Sequence, residues 1–172
     1  GSIGTTTSTS TVAGDIIIIG ENFTIRRGAI STGSSQSGST GTITLNATET
    51  ITISEPFDPG VPVVVANIQE GSGGQGDIVI HAREILVTNG AEVFSSSTGT
   101  GAGRVTLEAT ESITVSTNGV VRAFGGTANR PAINLRASNI ALDQGLLSSR
   151  TNVELDGGSI SLNATAGSLS LS

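Results

Sequence analysis

The acidic residues at one repeated position are the groups in this chain best placed to do chemistry. Glu49, Glu84 and Glu111 each follow a small residue by two positions, in three successive copies of a repeat. If the copies stack as neighbouring strands, the three carboxylates lie within about 5 Å of one another. Like charges that close repel unless a cation joins them, so one interpretation is a Ca²⁺ site. The other, which we favour, is three solvated carboxylates with no metal or other cofactor.

The only histidine is a second candidate. His81 alternates with apolar neighbours, so it is predicted to point outward. Its column along the stacked copies would contain Ile19, Asn46, Glu108 and Arg136. Glu108 could orient the imidazole as a general base, or the whole column could be a solvated polar row in which Glu108 and Arg136 pair. We favour the solvated row and assign no catalytic, cofactor-binding or metal-ligating residue.

Three other motifs point to no site. The glycine-rich run Gly71–Gly76 precedes a strand pattern rather than a helix, so it is not a phosphate cradle. Asn46 and Asn163 each begin an Asn-Ala-Thr acceptor for N-glycosylation, which we take as coincidence. The alternating Thr and Ser of Thr5–Thr11 resemble an ice-binding face, but such a run occurs in one copy only.

The composition limits the class of protein. The 172 residues, 35% of them hydrophobic, are enough for one continuous core. A net charge of −6 with no lysine argues against nucleic acid and anionic membranes as partners. The absence of cysteine excludes disulfides and thiolate metal sites. No apolar run approaches the roughly 18 residues that a membrane-spanning helix needs.

A repeat organises the whole sequence. Residues 76–93 hold two short alternating apolar runs on either side of Ala82, then a turn at Asn89-Gly90. Alternation of this kind predicts strands. Residues 14–172 are expected to form copies that begin near residues 14, 41, 76, 103, 131 and 151 and to stop in mid-pattern, with residues 1–13 as the end of a preceding coil or a linker. The one long step, between the second and third copies, contains the proline-rich segment 55–62.

The repeat predicts an all-β fold, a right-handed parallel β-helix (solenoid) of about six coils. Apolar residues at one position should form an inward ladder: Ile16, Ile43, Ile78, Val105, Ile133 and Val153. Small residues should form a tight inner corner: Gly20, Ala47, Ala82, Ala109, Ala137 and Gly157. An antiparallel sandwich also alternates, but it does not require matching small residues in every copy.

The register of the last copy is ambiguous. A compact coil of about 20 residues, starting near 151, would place Val153 in the inward ladder and Leu169 where Val93 lies. Alternatively, Gly158–Ala164 matches Gly41–Ala47 and keeps the ordinary repeat length. We favour the compact coil.

The pattern G-D-I-x-I-x-A-x-x-[IL]-x-[VL]-T-N-G-A-x-V-x-S-S-S-T-G-T-G-x-G, almost complete from Gly76 to Gly103, resembles a known family. It is similar to the repeats of filamentous-haemagglutinin-type exoproteins of the two-partner secretion pathway, in the form abundant in cyanobacteria. The resemblance covers residues 11 to about 150. It implies a secreted or surface-attached β-helix exported through an outer-membrane pore. The family's Asn-Pro-Asn-Gly secretion motifs are not in this sequence, so a piece of the repeat shaft is expected.

The expected function is structural and adhesive rather than enzymatic. The polar segments Ser31–Thr40, Gln69–Gln75, Ser95–Ala102 and Gly125–Arg130 recur at one phase of the repeat. They are predicted to form a strip that contacts host or matrix glycans or proteins. One alternative is a polysaccharide lyase or hydrolase, which would need a cleft with acids, a basic residue and aromatic walls. The second alternative is a filament built by end-to-end self-association.

Overall fold

The computed structural model describes residues 1–54, 63–126, 130–151 and 157–172. Regular structure in these residues is all β-strand, and they include no helix that could cross a membrane. The strands are β1 (Ser2–Thr7), β2 (Ile16–Arg26), β3 (Ala29–Ser34), β4 (Ile43–Ser54), β5 (Val64–Gln69), β6 (Ile78–Thr88), β7 (Glu92–Ser97), β8 (Arg104–Ser116), β9 (Val120–Gly125), β10 (Ala132–Ala137), β11 (Asn139–Asp143), β12 (Leu146–Thr151), β13 (Ser159–Ala164) and β14 (Leu169–Leu171).

The strands form two parallel sheets that the chain visits in alternation. The six-stranded sheet has the order β1-β3-β5-β7-β9-β12, and the eight-stranded sheet has the order β13-β10-β8-β6-β4-β2, with β11 paired to β8 and β14. Each turn of the chain adds one layer to both sheets, so the fold is a parallel β-solenoid of about six turns. The all-β solenoid prediction is confirmed, and its right-handedness stays a prediction.

Alternating apolar residues form the core. Ile16 pairs with Ile43, Ile43 with Ile78, Ile78 with Val105, and Val105 with Ile133, as predicted. The last four of these side chains are completely buried. Because every turn repeats the alternation, one apolar column runs the length of the rod.

The long strands of the eight-stranded sheet bend where the small residues lie. Strands β2, β4, β6 and β8 have 11 to 13 residues, and the pairing shifts register next to Gly20, next to Asn46 and next to Ala82. In the following turn the bend separates β10 from β11. Ala82 and Ala137 are buried at this bend, and Ala47 and Ala109 are partly buried against the core. A Cβ atom at Gly20 would lie only 2.8 Å from the Phe23 ring.

The predicted compact last coil is wrong. Ile160 pairs with Ile133 and Ala164 with Ala137, so the last copy keeps the ordinary repeat length and Ala164, not Gly157, continues the corner. Strand β14 pairs with β11 in the eight-stranded sheet, so Leu169 is not equivalent to Val93. The match between Gly158–Ala164 and Gly41–Ala47 therefore decides the register. Val153 and the proline-rich segment 55–62 lie outside the described residues.

The polar segments that were predicted to form an exposed strip lie partly in strands, where their inward side chains form a buried polar wall of the core. The segments Ser31–Ser34 and Ser95–Ser97 belong to strands β3 and β7. The alternation continues through them, and their inward polar side chains are buried together with those of β5: Thr32, Ser34, Asn67, Gln69, Ser95 and Ser97. Thr32 Oγ1 and Asn67 Nδ2 both donate to the carbonyl oxygen of Gly41, at 3.1 and 2.8 Å. Carbonyls of the connecting segment thus accept from Thr32 and Asn67. Ser97 Oγ and the side-chain oxygens of Asn67 and Gln69 are buried without a hydrogen-bond partner among the described residues.

Candidate functional site

The corner of the eight-stranded sheet brings the candidate acids together, but not in the predicted stack. Glu84 pairs in register with Thr50 and Ser112 rather than with Glu49 and Glu111. The prediction of one carboxylate column is therefore wrong. The cause is the length of the bend, because β4 and β8 contain one residue more than β6 between the small residue and the next inward isoleucine.

Arg83 lies between the acids of the two neighbouring turns. Its Nε donates to Oε2 of Glu49 at 2.7 Å, and its Nη1 donates to Oε2 of Glu111 at 2.6 Å. The same Nη1 lies 3.3 Å from Oε1 of Glu84. One guanidinium therefore bridges three carboxylates that come from three successive turns. We define this group, Glu49, Arg83, Glu84 and Glu111, as the corner cluster.

The electrostatics of the corner cluster keep Arg83 charged. The hydrogen bond to Glu49 raises the pKa of the guanidinium above its usual value. Partial desolvation lowers this pKa, but the negative charges of Glu111, Glu49 and Glu84 raise it further. The Glu111 side chain is 54% exposed, and those of Glu49 and Glu84 are 43% and 42% exposed. Solvent screens pairs this open, so their contribution to stability is small.

His81 points outward, as predicted. It is in register with Asn46 on one side and Glu108 on the other, and Glu108 is in register with Arg136. Its Nδ1 lies 3.3 Å from Oε2 of Glu108, and both side chains are more than two-fifths exposed. In the described part of the chain Glu108 thus pairs with His81 instead of Arg136.

A shallow groove of about 530 Å³ joins His81 to the corner cluster. Its lining includes Arg83, Glu108 and Arg136, together with the hydroxyls of Thr48, Thr110 and Thr165. A histidine oriented by a carboxylate is the minimum for general-base chemistry. However, Arg83 is bound by three carboxylates, and no phenylalanine of the described residues lines the groove. The described residues also contain no group of three or more His, Cys, Asp or Glu arranged to hold a metal ion.

Comparisons with protein-family models, curated proteins and solved structures find no match for this chain. The resemblance of Gly76–Gly103 to filamentous-haemagglutinin-type repeats therefore stays a prediction.

The interpretation of the sequence missed the role of Arg83. The signal was present in the spacing, because three positions separate Ala82 from Ile85 whereas four separate Ala47 from Ile51 and Ala109 from Ile113. Because the bend of β6 is one residue shorter, Arg83 lies beside Glu49 of β4 and Glu111 of β8.

Calcium is expected to leave the melting temperature unchanged beyond the effect of ionic strength. The three carboxylates already share the guanidinium of Arg83, so a divalent cation would have to displace a bound charge. The measurement is thermal unfolding in millimolar CaCl₂ against MgCl₂ of the same concentration, for the wild type and Glu84→Gln. A rise specific to calcium that Glu84→Gln removes would show that the cluster is a calcium site.

Proposed function

We propose that this chain is a shaft segment of a secreted or cell-surface exoprotein, with a structural and adhesive role. The observation that carries the proposal is the continuous core: the same position is apolar and in register in each turn from Ile16 to Ile160, and it is buried from Ile16 to Ile133. A repeat protein in which each turn contacts only its neighbours forms a rod. Such a rod holds the parts at its ends apart and presents a long surface.

The charged corner supports this role better than the enzymatic alternative. A lyase or hydrolase needs cationic and acidic groups that meet the substrate together. In this groove Arg83 already donates to Glu49 and Glu111, so Arg136 is the one cation among the described lining residues without a carboxylate partner. In this arrangement the charges join neighbouring turns. The pairing of Glu108 with His81 also joins two turns across the strand spacing.

The location and partners follow from the resemblance of the repeats. A parent protein of this class passes through an outer-membrane pore and folds outside the cell, where its surface meets glycans or proteins. The net charge of −6 supports a partner other than nucleic acid. End-to-end self-association stays an alternative role for the same rod.

Beads coated with this chain are expected to attach to glycan-coated surfaces, and the soluble chain is expected to leave polysaccharides uncut. The assay incubates the chain with acidic and neutral polysaccharides, with calcium present, and measures new reducing ends and unsaturated products. Turnover that survives repurification and disappears in Arg83→Gln or Glu84→Gln would contradict the proposal. Beads that attach to none of the surfaces would contradict its adhesive part.

A further inference from the structure

The outer face of the six-stranded sheet carries a second cluster of side chains. Pairing of β7 with β9 places Phe94 beside Arg122, and pairing of β9 with β12 places Phe124 beside Arg150. Two of the four phenylalanines of the chain and two of its eight cationic residues therefore meet on three adjacent strands. We call Phe94, Arg122, Phe124 and Arg150 the aromatic–arginine face.

Arg122 is held in place by two contacts. Its guanidinium carbon lies 5.3 Å from the centre of the Phe94 ring, within the range of a cation–π interaction. Its Nη2 donates to Oε2 of Glu92, whose side chain is only 18% exposed, whereas Arg122 is 45% exposed. Because a guanidinium has five donors, Arg122 keeps N–H groups that face solvent.

Arg150 differs from Arg122 because it makes no ion pair with any other described residue. It is exposed on β12, next to Phe124 on β9. Among the described residues, Glu92 is the one carboxylate that contacts the face, and it is bound to Arg122. In a chain of net charge −6, the described part of this face thus carries one more positive charge than negative charge.

The face forms a groove of about 340 Å³ that is lined by both apolar and cationic side chains. Phe94, Phe124 and Leu146 supply apolar surface, and Ser148 supplies a hydroxyl between the two arginines. Arg122 is in register with Ser148, two residues before Arg150 on the next strand. One strand spacing of about 4.8 Å and two residue rises of about 3.3 Å place their Cα atoms roughly 8 Å apart.

We propose that the aromatic–arginine face binds an acidic polysaccharide whose sugars carry carboxylates. Guanidinium forks match carboxylates in geometry as well as charge. The phenylalanine rings offer flat apolar surfaces for the C–H faces of sugar rings, and Ser148 can hydrogen-bond a sugar hydroxyl. The inference rests on the proposed adhesive function and names its ligand.

Other anionic partners fit this face less well. Binding to an anionic membrane uses clusters of roughly four to eight basic residues, and nucleic-acid binding at physiological salt depends on several phosphate contacts. Two arginines supply neither. A polysaccharide repeats its carboxylates along the chain, so weak contacts at many copies of the protein add up on a surface.

The test measures binding of the soluble chain to immobilised polygalacturonate, with neutral dextran as the reference polymer. We expect the wild type to bind polygalacturonate and not dextran. Arg150→Gln is expected to weaken binding about tenfold, which corresponds to about 1.4 kcal/mol. Phe124→Leu, which keeps apolar volume but removes the ring, is expected to weaken binding several-fold.

Arg104→Gln is the matched control. It removes the same charge from an exposed arginine on β8 of the other sheet, so binding is expected to stay at the wild-type level. Equal losses in Arg104→Gln and Arg150→Gln would show nonspecific charge attraction and overturn the proposal. Wild-type binding to dextran as strong as to polygalacturonate would overturn the requirement for carboxylates.

The bead assay separates this inference from the proposed function. If the beads attach to other glycans but the free chain does not bind polygalacturonate, the proposed ligand is wrong and the adhesive role is retained. Binding to polygalacturonate that Arg150→Gln leaves unchanged would place the contact elsewhere on the rod and overturn the assignment of this face.

Discussion

Replacing Leu107 with alanine is expected to lower the free energy of unfolding by about 2–5 kcal/mol. Leu107 is completely buried and lies in register between Ile80 and Leu135 of the adjacent turns. Both neighbouring strands are held by backbone pairing on either side, so they cannot close around the missing side chain. The cavity therefore remains and adds its own cost to the lost apolar burial.

Urea unfolding of Leu107→Ala and Glu108→Ala, side by side, measures this difference. Glu108 is the next residue on the same strand, but its side chain points outward, is 44% exposed and contacts His81 across the surface. An exposed pair of this kind contributes about 0–1 kcal/mol. Similar losses from the two substitutions would show that the inward and outward faces of β8 have been assigned the wrong way round.

The core could be predicted from the sequence because a strand alternates with a strict period of two. Strand β6 must bury one face, because its alternate residues are apolar: Ile78 and Ile80, then Ile85 and Val87. A stacked fold turns that local requirement into a column, because every copy must bury the same face. The repeat therefore predicts the stacking of the copies and the register of these inward columns from Ile16 to Ile133, whereas the register of the last copy was predicted wrongly.

The corner cluster could not be predicted in the same way. The bend interrupts the alternation, and a difference of one residue in its length changes which side chains of neighbouring turns meet. The spacing of the longer bends predicts that Glu84 lies beside Glu49 and Glu111. In the structure Glu84 lies beside Thr50 and Ser112, and Arg83 contacts the two other acids. Hydropathy carries no information about such a shift, because all the residues involved are polar.

The polar wall was missed for a different reason. Asn67 and Gln69 are buried although their side chains are polar, and a polar run between strands is typical of a loop. Their amide groups donate to the carbonyl oxygens of Gly41 and Gln36 at 2.8 and 3.1 Å. Those carbonyls satisfy the amide N–H donors, and only their three-dimensional position shows this. The amide oxygens Asn67 Oδ1 and Gln69 Oε1 are buried without a hydrogen-bond partner among the described residues.

The glycines of the connecting segments are expected to be as important to stability as many core residues. Gly73→Ala should lower the free energy of unfolding by about 1–3 kcal/mol, the usual range for forcing extra volume into packed structure. A Cβ atom at Gly73 would overlap the carbonyl group of Gly38 in the adjacent turn. That obstacle is backbone, and the segment around it is fixed by hydrogen bonds from Gly38 N to Thr9 O and from Thr40 N to Gly74 O, both 3.1 Å.

Gly33→Ala provides the control for this prediction. Gly33 lies on β3, and a Cβ there would meet its nearest neighbours at 3.7 Å, which is ordinary van der Waals contact. Alanine at an unstrained position also reduces the entropy of the unfolded chain, so this variant should be neutral or more stable by up to about 1 kcal/mol. Urea unfolding compares the two variants. If Gly73→Ala were as stable as Gly33→Ala, the connecting segments would not be close-packed, and the backbone stacking described for that side of the rod would be wrong.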